Sequence, residues 1–230
     1  MNGEVIKVCG MRDAENIREV EALGVDWMGF IFWPKSSRYV SKQPDYLPRK
    51  VKRVGVFVDA TVDDMLQHVA AFGLDLIQLH GHETPADIDN LRHCLEDCAT
   101  APRCRVGCGI AATPHADSTV PRLIKAFNIA TPADLDATQP YEGLVDYFLF
   151  DTKGHSVGGN GEKFDWSVLS SYKGHTPFLL SGGIGPDDAG RVKAFHHEKC
   201  IGIDVNSCFE SSPAVKDIEK LRRFINEVKQ

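Results

Sequence analysis

Two residues that can transfer protons, Cys9 and Asp151, each stand at the end of a short apolar run of the sequence. A free thiol has a pKa of about 8.5, so a positively biased pocket is needed to populate the thiolate that acts as a general base. A carboxyl group held away from water has a raised pKa and can deliver a proton. The pair suits acid–base chemistry on a small phosphorylated substrate. The alternatives are that Cys9 is only a small buried apolar residue and that Asp151 only caps a turn.

Two turns rich in small residues are candidates for binding a phosphate group. In Ser181-Gly182-Gly183-Ile184-Gly185, glycine lets backbone N–H groups approach an anion closely. The segment from Asp204 to Ser207 is placed to open a short helix whose first amides point toward an anion. Glycine turns also occur as plain strand-to-helix connections. We expect the following residues to bind the substrate: Gly182, Gly183, Asp204, Asn206 and Ser207.

Arg38 is a candidate for binding a carboxylate. It lies in the polar segment Pro34–Tyr39, directly after an apolar run. It is either a solvated surface arginine or a group that grips a carboxylate through a forked pair of hydrogen bonds.

A metal centre is not indicated by the sequence. The predicted strand ends carry no cluster of histidines and acids with the spacing of a zinc site. Four cysteines near the middle of the chain are spaced more loosely than those of zinc ribbons, and we expect free thiols rather than a zinc site at Cys94, Cys98, Cys104 and Cys108.

Eight apolar runs alternate with longer amphipathic stretches, which is typical of parallel strands covered by helices on both faces. At about 29 residues per unit the pattern fits an α/β fold, a (β/α)₈ TIM barrel, with its active site at the carboxyl ends of the strands. A doubly wound open sheet is the alternative, but no G-x-G-x-x-G turn opens the first helix. The runs are Val5–Cys9, Trp27–Phe32, Arg53–Val58, Leu76–His80, Leu123–Ile129, Asp146–Phe150, Pro177–Ser181 and Cys200–Asp204.

The chain is predicted to be a single domain over residues 1–230, because no linker divides it. Residues 99–120 break the alternation and follow a helix predicted at about Ala86–Leu95. In a barrel, this connection lies on the face opposite the active site. We therefore expect a peripheral insertion at about 99–120.

Composition excludes several classes of protein. Hydrophobic residues make up 43% and charged residues 25%, which is ordinary for a globular protein. A net charge of −6 argues against a nucleic-acid partner. There is no apolar run of roughly 18 residues and no signal peptide, so no membrane association is expected. We predict a cytoplasmic monomer or homodimer that binds a phosphorylated small molecule.

Blocks of sequence that run in order from Lys7 to about Lys216 closely resemble the phosphoribosylanthranilate isomerases of tryptophan biosynthesis. The blocks are Lys7–Gly10, Gly29–Phe32, Pro34–Val40, Val54–Val58, Gln78–Gly81, Asp151–Lys153, Gly158–Gly161, Phe164–Trp166, Leu180–Ile184 and Gly202–Ser207. The resemblance implies a (β/α)₈ barrel that catalyses an Amadori rearrangement. The reaction converts N-(5′-phosphoribosyl)anthranilate to 1-(2-carboxyphenylamino)-1-deoxyribulose 5-phosphate.

The resemblance also implies roles for individual residues. Asp151 would be the general acid that protonates the ribose ring oxygen, and Cys9 the general base that takes the proton from C2′. Arg38 would bind the anthranilate carboxylate, and the two small-residue turns would hold the phosphate. Proton transfers suffice for this reaction, so no cofactor and no metal ion are implied.

Three departures from the family pattern leave the acid and the base in place, and one of them is the length of the insertion at about 99–120. Cys208 stands where the family usually has glycine, and Asn160 where serine or threonine is more common. The alternative functions are a different phosphate-binding barrel and a catalytically silent binding protein. Against the first, neither the histidine–aspartate metal set of an epimerase nor the lysine–glutamate set of a ring-closing synthase is apparent.

Overall fold

The computed structural model describes residues 5–100, 120–152 and 165–230. Within these ranges, eight parallel strands pair in chain order and close into a barrel, with the first strand against the last. The strands are β1 (Val5–Val8), β2 (Trp27–Ile31), β3 (Lys52–Phe57), β4 (Leu76–Leu79), β5 (Arg122–Ile129), β6 (Tyr147–Thr152), β7 (Phe178–Ser181) and β8 (Cys200–Val205). Their ends lie within two residues of the apolar runs that predicted them. The barrel prediction is confirmed, and the doubly wound alternative is wrong because β1 pairs with β8.

Helices follow most of the strands. The α-helices of the described ranges are α1 (Ala14–Ala22), α2 (Val62–Phe72), α3 (Pro85–Thr100), α4 (Ala189–Ala194) and α5 (Ile218–Lys229). Short 3₁₀ helices follow β5 to β8, at Pro132–Tyr141, Trp166–Ser171, Pro186–Asp188 and Ser207–Phe209. An antiparallel pair, β9 (Glu210–Ser212) and β10 (Val215–Lys216), precedes α5. No helix among the described residues is long and apolar enough to span a membrane.

Helix α3 is longer than the sequence predicts. It extends to Thr100 instead of ending near Leu95, and Leu91 and Leu95 are buried residues of the helix. Cys94 and Cys98 lie on this helix, and neither is joined by a disulfide bond to another described residue. Cys104, Cys108 and nearly all of the predicted insertion lie outside the described residues. Within those residues, no group of histidine, cysteine, aspartate and glutamate side chains is arranged to hold a metal ion.

The barrel interior changes from apolar to polar along the strand direction. Alternate residues of a strand share a face, so inward-facing positions recur every two residues. Near the strand starts these positions form a dry layer: Trp27, Val54, Leu76, Ile124, Ala126, Leu149 and Leu179. Two residues later on three of these strands stand Gln78, Asp151 and Ser181. The dry layer therefore forms the floor beneath a polar cavity.

Gly202 allows the first and last strands to meet. A Cβ atom built at this position would overlap with the backbone of Val5 on β1, including its carbonyl oxygen. The backbone of a closed barrel has little room to yield, so Gly202→Ala has to force β1 and β8 apart. We expect this variant to lower the free energy of unfolding by about 2 kcal/mol or more, measured by denaturant titration.

Gly190→Ala is the matched control, because Gly190 is exposed on α4 and a Cβ there meets nothing within 4 Å. Alanine favours the helix, so this variant should raise the free energy of unfolding by about 0.5–1 kcal/mol. Equal midpoints for Gly202→Ala and the wild type would show that the strand contact tolerates a side chain.

Candidate active site

A cavity opens at the carboxyl ends of the strands, above the dry layer. Seven of the eight residues predicted to act in chemistry or binding line it, and Arg38 is the exception. The complete lining is Cys9, Ile31, Val56, Gln78, His80, Asp151, Ser181, Gly182, Gly183, Ile184, Asp204, Asn206, Ser207 and Cys208. The barrel thus brings together residues that are far apart in the sequence.

Cys9 follows β1 and is buried, with 4% of its surface exposed. Gly29 on β2 makes room for it, since a Cβ there would lie 2.7 Å from the Cys9 Sγ atom. Burial raises the pKa of Cys9, while the ammonium groups of Lys7 and Lys216 lower it, and the net shift is upward. The nearby charges are mixed, because the Asp204 carboxylate raises the pKa of Cys9 while the two lysines lower it. Burial is the largest of these influences, and the sequence alone did not reveal it.

Lys7 supplies the nearest of these positive charges. Its side chain is fully buried, and its Nζ donates a hydrogen bond to Asp204 Oδ1 at 2.7 Å across the β1–β8 pairing. Burial lowers the pKa of Lys7, but Asp204 and Cys9 together raise it by more than burial lowers it. The ammonium group therefore stays protonated. Sequence reasoning gave Lys7 no role, although a lysine inside an otherwise apolar strand was the available signal.

Asp204 lines the cavity, and its carboxylate makes contacts within the protein, while the expected contact of Asp204 with a substrate stays a prediction. Besides the ion pair with Lys7, its Oδ2 accepts a hydrogen bond from Ser181 Oγ at 3.1 Å. The carboxylate therefore holds the Lys7 ammonium in place beneath the cavity.

Asp151 ends the inward-facing row of β6, and its side chain is 21% exposed to the cavity. His80, after β4, faces it with an Nε2–Oδ2 distance of 3.8 Å. Burial lowers the pKa of His80 despite the nearby Asp151 carboxylate, which raises it. The ring is therefore neutral at neutral pH. Cys9 and Asp151 thus line one cavity, as the acid–base prediction requires.

The two small-residue turns lie side by side on the same cavity. Gly182 and Gly183 have φ angles of +95° and +65°, a backbone conformation that glycine adopts without strain. The predicted short helix after β8 is a single 3₁₀ turn, Ser207–Phe209. Asn206 and Ser207 at its start line the same cavity as the glycine turn.

Arg38 does form a forked pair, but with a group of the protein itself. Its Nε and Nη2 donate to Glu210 Oε1 and Oε2 at 2.8 and 2.6 Å. Lys216 Nζ donates to the same Glu210 Oε1 at 2.7 Å and to Asn206 Oδ1 at 2.8 Å. This network ties the loop after β2 to the β9–β10 pair at the rim of the cavity.

The comparisons with known proteins identify the family. A sequence model described as N-(5′-phosphoribosyl)anthranilate (PRA) isomerase matches residues 6–101 and 114–227. The chain belongs to this family. It is 46% identical to the N-(5′-phosphoribosyl)anthranilate isomerase of Parabacteroides distasonis, covering 97% of this chain and 93% of the relative. It is also 46% identical to the isomerase of Phocaeicola vulgatus, covering 98% of each chain.

Solved structures support the same isomerase family. The phosphoribosylanthranilate isomerase of Thermotoga maritima superposes with a TM-score of 0.72 at 26% identity, covering 98% of each chain. The gap in the family match, residues 102–113, falls inside the predicted insertion at 99–120.

Cys208 is a site where this chain departs from the isomerase pattern stated above. It is exposed, carries a free thiol and lines the cavity beside the glycine turn. A Cβ at Gly185 would lie 3.9 Å from the Cys208 Cβ, so the two turns pack without overlap. Another departure, Asn160, lies outside the described residues.

Proposed function

We propose that this chain converts N-(5′-phosphoribosyl)anthranilate to 1-(2-carboxyphenylamino)-1-deoxyribulose 5-phosphate in tryptophan biosynthesis. One observation carries the proposal: a thiol on β1, a carboxyl group on β6 and the two small-residue turns after β7 and β8 share one cavity. Membership of the isomerase family agrees with it.

In the proposed mechanism, Asp151 begins as the protonated acid and gives its proton to the ribose ring oxygen. The C1′–O bond breaks while the anilino nitrogen forms a C1′=N bond, which opens the ring. The Cys9 thiolate then takes the proton from C2′. The electron pair of that C–H bond forms the C1′=C2′ bond of the enolamine, while the π electron pair of the C1′=N bond returns to the anilino nitrogen. The enolamine becomes the ketone by losing the proton of its 2′-hydroxyl group and gaining one at C1′.

Lys7 supports Cys9 in this mechanism. A thiol whose pKa is raised by burial is a stronger base once ionised, but a smaller fraction of it is ionised. The Lys7 ammonium opposes that loss because its positive charge stabilises the thiolate. Asp204 and Ser181 keep the ammonium at the thiol by the contacts described above.

Arg38 is proposed to bind the anthranilate carboxylate. A guanidinium group carries five N–H donors, so the substrate carboxylate can share it with Glu210. Burial raises the pKa of Glu210, but Arg38 and Lys216 lower it more, so Glu210 remains a carboxylate and limits the net positive charge at the rim.

The phosphate is proposed to bind the glycine turn, and Gly183→Asp tests this. The new carboxylate repels the phosphate dianion at close range, so we expect KM to rise at least tenfold with a smaller change in kcat. Initial rates at varied substrate concentration measure both.

Gly143→Asp is the matched control for this variant, because Gly143 also has a positive φ, +79°, and open space around it, in the turn that precedes β6. It introduces the same charge and the same backbone strain away from the cavity, and KM should be unchanged. A normal KM for Gly183→Asp would place the phosphate elsewhere.

The direct test is turnover by the purified chain. We expect the phosphoribosyl substrate to be converted without added metal or cofactor. Running the related aminoaldose of histidine biosynthesis in parallel shows whether the activity extends to that compound. No turnover of the phosphoribosyl substrate would refute the proposed function.

The assembly and location of the chain complete the proposal. We propose a cytoplasmic enzyme that is a monomer or a homodimer. The Thermotoga maritima isomerase is a dimeric protein from which monomers have been generated, and the solved structure of those monomers is 23% identical in sequence to this chain. Sedimentation of the purified chain decides between the two states.

A further inference from the structure

Gln78 and His80 form a polar pair that the mechanism above does not use. They stand two residues apart at the end of β4, and both line the cavity. The Gln78 Nε2 lies 2.9 Å from the His80 Nδ1. With the amide in this orientation its nitrogen is the donor and Nδ1 the acceptor, which corresponds to a neutral ring that carries its proton on Nε2. That Nε2 faces Asp151 Oδ2 at 3.8 Å.

We propose that Gln78 holds His80 in its Nε2–H tautomer, and that His80 presents this N–H to the same substrate oxygen that Asp151 protonates. The inference rests on the proposed function. Groups 3.8 Å apart do not hydrogen-bond each other, but each can reach a single oxygen lying between them at about 2.8 Å. His80 donates a hydrogen bond and transfers no proton, and Gln78 acts on the reaction only through His80. The hydrogen bond from His80 Nε2–H strengthens as the ribose ring oxygen gains negative charge, and this lowers the barrier to ring opening.

The charges around His80 favour a neutral donor. The ionisable groups facing it are Asp151 on β6, Lys7 on β1, Asp204 on β8 and Lys125 on β5. Burial and the two lysines oppose a positive charge on the ring, and the two carboxylates favour it. An imidazolium at this position would stabilise the ionised form of Asp151 and so remove the proton that Asp151 has to deliver.

The other end of the Gln78 amide points to a contact with a ligand. Gln78 is 1% exposed, and its Oε1 accepts no hydrogen bond from any residue in the described ranges. A buried acceptor without a donor is costly, and a ligand that supplies the donor relieves that cost. The proposed substrate carries ribose hydroxyl groups and an anilino N–H. A substrate donor on Oε1 fixes the amide orientation, and therefore the His80 tautomer, when the substrate binds.

The first test is Gln78→Glu. The new carboxylate accepts a hydrogen bond from Nδ1–H. It therefore favours the His80 tautomer protonated at Nδ1 and the doubly protonated imidazolium. The positive ring then lowers the pKa of Asp151, so the alkaline limb of the kcat/KM profile should move about one pH unit or more toward acid. Gln43→Glu makes the same charge change on an exposed side chain that contacts the Ala71 carbonyl, and its profile should match the wild type.

The second test replaces the ring. Glutamine can place an N–H donor near the position of Nε2, whereas leucine offers none. We expect His80→Leu to lower kcat at least tenfold with a smaller change in KM, and His80→Gln to recover most of that loss. Circular dichroism confirms that both variants fold. Equal rates for His80→Leu and the wild type would overturn the donor role.

The third test determines the tautomer of His80 by NMR, without measuring turnover. In ¹⁵N-histidine-labelled protein at neutral pH, the His80 ring is identified by the signals missing from His80→Gln. We expect a neutral ring protonated at Nε2, and a proton on Nδ1 would overturn the assignment. A wild type that does not convert the phosphoribosyl substrate would refute the proposed function and the donor role with it. Normal wild-type turnover, with Gln78→Glu and His80→Leu unchanged, would refute the donor role alone.

Discussion

Replacing Cys9 with alanine is expected to lower kcat by about 10²- to 10⁴-fold, because a general base acts in the transition state. Binding of the product should change little, since Cys9 is proposed to move a proton rather than to hold the ligand. Alanine leaves no new buried polar group in the space beside Gly29, so the fold should persist. Rates of product formation and a product titration of the variant measure the two effects separately.

Cys200→Ala is the matched control for this variant. Cys200 lies at the start of β8, away from the cavity, where its Sγ contacts the Gly202 carbonyl at 3.5 Å. Its removal should leave kcat unchanged. Turnover of Cys9→Ala within tenfold of the wild type would remove Cys9 from the role of base.

The pH dependence of Cys9 follows from its burial. Because burial raises the pKa of Cys9, half-ionisation occurs at a higher pH than for an exposed thiol. Alkylation by iodoacetamide requires the thiolate, so the Cys9-dependent rate should still be rising above about pH 8.5. The Cys9→Ala protein supplies the background from the other thiols. A midpoint below that pH would mean that the lysines outweigh burial.

Asp151→Asn is expected to lower kcat as much as Cys9→Ala does, by about 10²- to 10⁴-fold, because an amide has no acidic proton to deliver to the ribose ring oxygen. The amide has nearly the same shape as the carboxyl group, so product binding should be retained. Product formation under saturating substrate measures the loss. The double variant with Cys9→Ala should lose less than the product of the single losses if the two groups serve one reaction sequence.

Asp146→Asn makes the same chemical change just before the other end of β6. Asp146 accepts a hydrogen bond from the Leu123 backbone at 2.8 Å and pairs with Arg92, outside the cavity. It should retain normal kcat per folded molecule even if its stability falls. Similar kcat losses in both asparagine variants would indicate a general effect on the fold rather than loss of the acid.

The fold was largely predictable because each strand is a continuous apolar run, and parallel strands buried on both faces require that pattern. The cavity position followed from the barrel, since the carboxyl ends of the strands meet on one face. The length of helix α3 was underestimated because cysteines and acids after Leu95 weaken its apolar periodicity, although the helix continues to Thr100.

The partners of the candidate site residues could not be read from the sequence. Arg38 and Glu210 are 172 residues apart, and nothing local shows that their side chains form a forked pair. The burial of Cys9 depends on neighbouring strands, so the direction of its pKa shift required the assembled barrel. His80 stands at a predicted strand end, but its contact with Gln78 depends on side-chain geometry that spacing alone does not give.

The ion pair of Lys7 and Asp204 also links chemistry to the order of folding. The two residues are separated by 197 positions and belong to the first and last strands of the barrel. During synthesis the thiol is made almost at once, but its stabilising cation has no counter-ion until β8 has left the ribosome and docked. Contacts of such long sequence separation form late, because much chain entropy has to be lost first. A partly folded intermediate without β8 therefore lacks the electrostatic environment of the finished site. Enzymatic activity is expected only after β8 has closed the barrel.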